Sequence, residues 1–430
     1  MSKLKKSDSF LENSNLKDAR NFDDFSNLSD LSGLADLKDL HGLAGLQKKQ
    51  KSSRNKTLNL SKEECKIYFR RCLDFREFSE ETATFSDKIA DFSAENANFF
   101  DKTEKSPSET ENFSVNQQNP QENHQNTPIN HQNQQVNKKE LSLEQIKDKT
   151  ICGESLSVMQ NLPKEIFDLA IIDPPYNLTK NFAGKKFNQI SYNKYKKYTE
   201  NWINELLPLL KPNASFYICC DWKSSIEIAE VLTEFEQNKK IFIRNRITWQ
   251  REKGRGAKSN WKNSMEDIWF CTLGEEYVFN LEDVKIRRKV IAPYKVDGNP
   301  KDWNQTEKGN FRDTCPGNFW DDISIPFWSM AENTAHPTQK PEKLLAKLIL
   351  ASSNKGDFVF DPFLGSGSTS VTAKKLGRHF CGIELSEEYC AWAEKRLEDA
   401  EKNKEIQGYA NGVFWERNSI TEQKKFFSEE

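Results

Sequence analysis

The sequence predicts an α/β protein built on a doubly wound, mostly parallel sheet and preceded by a low-complexity extension. Three observations carry that reading. Strand-length apolar runs alternate with helical patterns from about residue 143 to 400. Two of those runs, almost two hundred residues apart, each end in Asp-Pro. The second Asp-Pro is followed by a glycine-rich turn and a helix, the usual entry to a nucleotide-type site in such sheets.

The first run, Ile166 to Ile172, delivers Asp173-Pro174-Pro175-Tyr176 to its carboxyl end. A proline has no N–H to donate and fixes its own φ, so the strand must stop here, with Asp173 and Tyr176 on a stiff loop. In an open α/β sheet ligands bind at the carboxyl ends of strands. Alone, the segment reads equally well as an ordinary strand-ending turn.

The second run is Phe358-Val359-Phe360, followed by Asp361-Pro362-Phe363-Leu364-Gly365-Ser366-Gly367 and a helix from Ser368 to Leu376. Gly365 and Gly367 are expected to let the backbone turn tightly and approach a ligand. Ser366, Ser368 and Thr369 are candidate caps for the N–H groups of the following helix. A further strand, His379 to Ile383, ends in Glu384, about twenty residues after the turn, where a nucleoside cofactor's ribose hydroxyls find an acceptor. The three-glycine dinucleotide pattern is absent, as is a Gly-Lys-Ser/Thr phosphate loop.

Together, Asp173-Pro174-Pro175-Tyr176 and Phe363-Leu364-Gly365-Ser366-Gly367, with His336-Pro337-Thr338-Gln339-Lys340-Pro341 between them, resemble the motifs of amino-group DNA methyltransferases. The order, catalytic motif before cofactor motif, resembles their circularly permuted β group, and the resemblance covers about 60% of the chain. It implies a Rossmann-like class I methyltransferase fold with S-adenosyl-L-methionine as cofactor. By that resemblance Asp173, Pro174, Pro175 and Tyr176 are the catalytic residues. Asp361, Pro362, Phe363, Gly365, Ser366, Gly367, Ser368, Thr369 and Glu384, with Lys340 and Glu154, are the cofactor-binding set.

From the N-terminus, the 430 residues suffice for one large or two ordinary domains, and 63 basic against 65 acidic residues exclude a generally basic coat for nucleic acid. No apolar run reaches eighteen residues and no signal core opens the chain, so no membrane segment is expected. Nine cysteines without a Cys-x-x-Cys pair read as reduced thiols of a cytoplasmic protein, and five dispersed histidines suggest no metal site. Residues 1–140 are rich in Ser, Asn, Asp, Lys and Gln and are expected to be largely disordered. Within them, Leu28, Leu31, Leu34, Leu37, Leu40, Leu43 and Leu46 recur every third residue; this period drifts around a helix, and a degenerate repeat is favoured over a partner-binding helix. Lys62 to Phe78 begins after a capping box, Ser61 and Glu64, and either docks on the core or stands apart.

The folded core is expected to begin near Leu141. Residues 149–152 read as a strand, and a doubly wound sheet needs them beside the strand ending in Glu384. Glu154, just past this strand, is read either as facing an adenine or as a solvated turn acid. Asn177 to Tyr198 is lysine-rich and aromatic, either a lid over extruded nucleic acid or a solvated loop. Helix 201–210, strand 214–220, helix 225–235, strand 242–249 and strand 268–272 continue the alternation. Lys239 to Lys262 holds nine Lys or Arg and one acid, Glu252. Arg251, Lys253, Arg255, Lys258 and Lys262 are the candidate phosphate contacts in this patch. Residues 275–335 break the rhythm, and the resemblance places target recognition there. An amphipathic helix, Glu342 to Ser352, is expected to pack under the glycine turn. The domain reading is thus 141–274 for the catalytic part, 275–335 for recognition, 336–405 for the cofactor part and 406–430 for a polar tail.

The resemblance further implies methylation of the N6 amine of adenine in double-stranded DNA, with base flipping, since cytosine-N4 members of the family usually carry Ser at the position of Asp173. Cytosine-N4 methylation stays open as an alternative, as does a catalytically silent DNA-binding subunit. By family analogy a cognate restriction endonuclease and a homodimer are the expected partners.

Overall fold

The structure is a computed structural model that describes residues 55–78, 140–182, 185–251, 259–290, 294–307 and 309–419, with 421 and 423. The leucine repeat at 28–46 and the Asn/Gln tract at 117–137 lie outside the described residues.

In chain order the elements that position the site are α1 (Lys62–Phe69), β1 (Leu73–Asp74), β2 (Lys149–Cys152), α2 (Ser155–Met159), β3 (Phe167–Ile172), α3 (Tyr192–Leu206), β4 (Leu210–Asp221), α4 (Ser224–Gln237), β5 (Phe242–Gln250) and β6 (Met265–Thr272). They continue with β7 (Ile286–Lys289), β8 (Asn304–Thr306), β9 (Gly309–Thr314), β10 (Phe319–Trp320), α5 (Glu342–Ser352), β11 (Phe358–Asp361), α6 (Ser368–Lys375), β12 (His379–Glu384), α7 (Glu387–Lys402), β13 (Tyr409–Ala410) and β14 (Val413–Trp415).

The main sheet runs β1-β2-β12-β11-β3-β4-β6-β5-β10. It is parallel from β1 to β4, and β6 pairs antiparallel with both β4 and β5. The chain leaves β11 for β12 on one side and β3 for β4 on the other. The topological switch point therefore lies between the two strands that end in Asp361 and Asp173. Their pairing is fixed by the core: the Phe167 ring stacks on Phe360 at 4.3 Å and tilts against Phe358 at 4.7 Å. Beside it, Asp168 accepts from the Phe358 N–H at 2.8 Å and from Lys211 Nζ at 2.7 Å. Strand β2 pairs with β12 in parallel, Cys152 opposite Glu384, as the permuted order requires.

Three expectations are corrected here, and one alternative left open is decided. Of the two readings of Lys62 to Phe78, docking on the core holds, because residues 55–78 are packed on the fold. Ser61 and Glu64 form the capping box of α1, α1 lies against α7, β1 pairs with β2, and Phe75 is buried in the core. The aromatic segment after Tyr176 is not loop to 198, since α3 starts at Tyr192. Tyr195 is buried and Tyr198 packs on the core, so these two rings are structure and not lid.

Residues 406–430 are not wholly a tail: β13 and β14 join a second sheet of order β8-β9-β7-β14-β13, which gives residues 275–335 regular structure as well. The helix α5 is not amphipathic but buried all round. One side, with Leu344, Leu345 and Leu348, packs into the main sheet's core, and the other, with Ala346, Leu350 and Ala351, packs against the second sheet. Its lysines are tolerated because Asp322 pairs with both Lys343 and Lys347 at 2.7 Å.

Candidate functional site

The carboxyl ends of β3, β11 and β12 open into one cavity of about 690 Å³. Asp173, Pro174, Pro175 and Tyr176 form part of its wall; Asp361, Phe363, Gly365, Ser366, Ser368, Thr369, Glu384, Lys340 and Glu154 form much of the rest. Thus the two Asp-Pro segments meet in a single concave site, although they are far apart in sequence.

The Asp-Pro-Pro-Tyr loop is held from both sides. Asn177 accepts from the Ile190 N–H at 2.8 Å, donates to the Ile190 carbonyl at 3.0 Å, and its own N–H reaches Ser224 Oγ at 3.1 Å. Tyr195 donates to the Pro175 carbonyl at 3.1 Å. Above the loop, Tyr176 donates its hydroxyl proton to Asp173 Oδ1 at 2.7 Å.

Lys340 is placed differently from the expectation. Its ammonium, in an almost fully buried side chain, donates to Asp173 Oδ2 at 2.6 Å and lies 3.0 Å from the Tyr176 hydroxyl. Glu266 Oε2 stands 3.5 Å away on the other side. Burial works against the charge of Lys340, but the Asp173 and Glu266 carboxylates outweigh it and hold the ammonium above its ordinary range. The same neighbours, after burial itself, drive the Tyr176 phenol well above its usual value, so it stays a donor. Sequence reasoning put Lys340 with the cofactor; its place under the catalytic-motif loop could not be read because the pairing spans the switch point.

At the glycine turn, Glu384 accepts from the Gly365 N–H on one oxygen and the Ser386 N–H on the other, both at 2.8 Å. Burial pushes its carboxyl up to about 7. Asp361 is likewise raised to about 7 by burial, although it accepts from the Phe363 N–H at 2.9 Å.

Gly365 has φ +57°, and a Cβ there would stand 3.2 Å from the His336 ring. Gly367, at φ +85°, is a packing glycine: a Cβ would meet Ala393 of α7 at 2.6 Å, away from the cavity. Neither Gly367 nor Pro362 lines the cavity. Pro362 instead accepts from Ser155 Oγ at 2.5 Å through its carbonyl.

The serines are not caps either, since Gly367 is the N-cap residue of α6 and no side chain caps it. Arg396 instead braces the turn without capping it: it donates to the Ser366 carbonyl at 2.7 Å and Ser368 Oγ at 3.0 Å, and is anchored to Glu342 at 2.9 Å. Glu154 borders the cavity, but its carboxylate caps α2 through the N–H groups of Leu156 (3.1 Å) and Ser157 (2.8 Å).

The basic patch divides. Lys253, Arg255 and Lys258 lie outside the described residues, and Lys262 is exposed beside the exposed ring of Trp261. Arg251 is not a free phosphate contact, because its guanidinium is paired with the buried Glu266 and so belongs to the chain of charges that ends at Asp173. His336, missed as a site residue, lines the cavity with its ring edge-on to Tyr389 at 4.6 Å, and burial lowers its pKa to about 4.

A family model described as DNA methylase matches residues 167–395. The type II methyltransferase M.HpaI of Haemophilus parainfluenzae is 33% identical over 256 residues, which cover 59% of this chain and 75% of that protein. DNA adenine methyltransferase YhdJ of Escherichia coli (strain K12) is 34% identical over 264 residues, 59% of this chain and 83% of YhdJ. A solved structure, the M1.HpyAVI-SAM complex, is 25% identical over 58% of this chain and 98% of its own length, with a TM-score of 0.39. The matched span takes in both Asp-Pro segments and everything between them, and the chain belongs to the N6/N4 DNA methylase family.

Proposed function

We propose that this chain transfers a methyl group from S-adenosyl-L-methionine to the N6 amine of adenine in double-stranded DNA. The observation that carries the reading is the shared cavity: Asp173 and Tyr176 face the same space as Asp361, Gly365 and Glu384. The residues fit such a cofactor. Glu384 spends one contact per oxygen on backbone N–H groups and keeps lone pairs for ribose hydroxyls. Phe363, Ile383 and Leu385 offer apolar wall for a purine, and the volume suits one small ligand. When bound, S-adenosyl-L-methionine supplies a methyl group made electrophilic by its sulfonium.

The chain's own residues prepare the amine. Its lone pair is delocalised into the purine, so the site must favour the pyramidal nitrogen over the planar one. Asp173 and the Pro174 carbonyl are acceptors for the two amine hydrogens. Lys340 and Tyr176 hold the Asp173 carboxylate in place as an oriented acceptor. The Tyr176 ring is the stacking platform for an extruded base, which chemistry at a base in duplex DNA requires. Lys262 and the basic residues of 251–258, Arg251 excepted, are the phosphate contacts, and residues 275–335 read the target. A cytoplasmic location, a cognate restriction endonuclease and a homodimer complete the proposal. Among the described residues no helix is long and apolar enough to cross a membrane.

The test is modification-sensitive sequencing of DNA from cells expressing this chain, with Asp173→Ala as control. N6-methyladenine at one short sequence, absent in the control, is expected. N4-methylcytosine in its place would overturn the base assignment, and no modified base would overturn the activity.

A further inference from the structure

The segment 55–78 lies wholly outside the span matched by the family, yet it reaches both flanks of the cavity. At its start, the Lys56 N–H donates to the Trp328 carbonyl at 2.7 Å and the Leu58 N–H to the Asn333 carbonyl at 2.9 Å. Asn333 Nδ2 reaches Thr57 Oγ1 at 2.8 Å. These contacts hold the loop that leads into His336 and Lys340. At its end, β1 adds to the sheet edge, with Asp74 opposite Cys152. Parallel register therefore carries Arg76 out of β1 at the level where Glu154 leaves β2, one strand away from Glu384. Gly153 makes the docking close, since a Cβ there would stand 3.1 Å from Phe75.

Arg76 lines the cavity with these residues. Its guanidinium is oriented by Asp74, at 2.8 Å from Nε and 2.6 Å from Nη2, and by Glu387 at 2.7 Å from Nη1. The fork keeps further donors, and the planar cation, which lies over the Phe69 ring at 5.6 Å, has a second face suited to another aromatic ring. Beside it in the wall stand Glu154, Glu384 and Glu387, and Arg76, paired with Asp74 and Glu387, is the cation among these acids.

We propose that Arg76, carried in by the docked segment 55–78, is a cofactor-binding residue that completes the nucleoside end of the cavity and sets affinity for S-adenosyl-L-methionine. The proposal rests on the cofactor reading above. Its chemistry is that of purine recognition, so Arg76 acts on the nucleoside and not on the methyl group. S-adenosylhomocysteine, which keeps the nucleoside and lacks the methyl group, must therefore feel its loss equally.

The experiment is calorimetric titration of the full chain and of the Arg76→Ala and Arg76→Lys variants with each of the two ligands. Arg76→Ala is expected to raise Kd about tenfold for both ligands; this is the cost of one charge-assisted contact. Arg76→Lys, which keeps charge but loses the planar fork, is expected to recover only part of the affinity. Thermal melting without ligand checks the fold, which the half-exposed side chain should leave intact. A Kd within twofold of the parent in Arg76→Ala would overturn the proposal, and so would a loss for one ligand only. A parent chain that binds neither ligand would overturn the cofactor reading itself.

Discussion

The two carboxylate groups of the cavity are built on opposite principles. At the end of β3, Asp173 is neutralised by a buried cation, in a chain of charges that runs from Asp173 to Lys340 to Glu266 to Arg251. At the ends of β11 and β12, Asp361 and Glu384 accept from neutral donors among the described residues, chiefly backbone N–H groups, and burial raises both to about 7. The first end is held together by charges that need one another. The second is held by single neutral hydrogen bonds to each oxygen of Glu384, which leave further lone pairs for a ligand with hydroxyl donors. The difference teaches where pH and mutation should act: the Asp173 end should fail all at once, whereas the Glu384 end should titrate.

The largest effect is expected from breaking the paired end. Lys340→Met removes the buried cation between the half-buried Asp173 and the buried Glu266, leaving them only Tyr176 and Arg251 as partners; removing one member of such a set costs about 3 kcal/mol. Urea unfolding should show that loss, together with near-complete loss of methyl transfer. A variant of parental stability would mean that Asp173 and Glu266 do not depend on Lys340.

The backbone under the glycine turn comes next. Gly367→Ala forces an L residue to φ +85° and sets its Cβ against Ala393 at 2.6 Å. A loss of about 2 kcal/mol or more in unfolding free energy is expected. Gly365→Ala should show the converse split, with weaker cofactor binding and a smaller loss of stability. Similar behaviour of the two variants would erase the distinction between a packing glycine and a cavity glycine.

The smallest effect is the pH dependence of the open end. Asp361 and Glu384 have folded values near 7, above their unfolded values near 4, so the folded state holds more protons between those limits. Their contribution to the stability of the ligand-free protein is present below about pH 4 and is lost as pH rises through 7. Cofactor affinity should run the other way, because hydroxyl donors favour the ionised form, and should weaken as pH falls below 7. Glu384→Gln should weaken binding about tenfold at pH 8 and flatten the profile. An affinity that does not change between pH 6 and 8 in the parent would remove the ionisation from the binding step.

Much of this site was legible in local sequence. Two prolines after Asp173 stop a strand whatever surrounds it, and Gly365 followed by a polar helix start announces a turn. Even the placement of residues 149–152 beside β12 followed from counting strands in a doubly wound sheet. The errors have a common origin. Arg251 and Lys340 sit in basic or motif-like stretches that suit ligand contacts, but their partners are set by tertiary pairing: Glu266 lies on the neighbouring antiparallel strand β6, and Asp173 stands at the end of β3. Tyr195 and Tyr198 fall in a stretch that reads as loop, lid or solvated alike, because a lysine-rich helix with a buried aromatic face has the composition of a loop. Residues 62–78 could not be given a place because a two-residue edge strand carries no periodicity.

What the sequence by itself determined was the chemistry available and the points where the chain must turn. Apolar runs, prolines and glycines act through local sterics, which the neighbouring residues alone impose. The tertiary structure decided which charges face each other. It set Lys340 between Asp173 and Glu266, left Glu384 to backbone donors, and brought Arg76 beside Glu387 at the cavity wall. The charge pairings depend on strand order and register between segments from 74 to 311 residues apart, and a buried charge is stable only where that order supplies its counterpart.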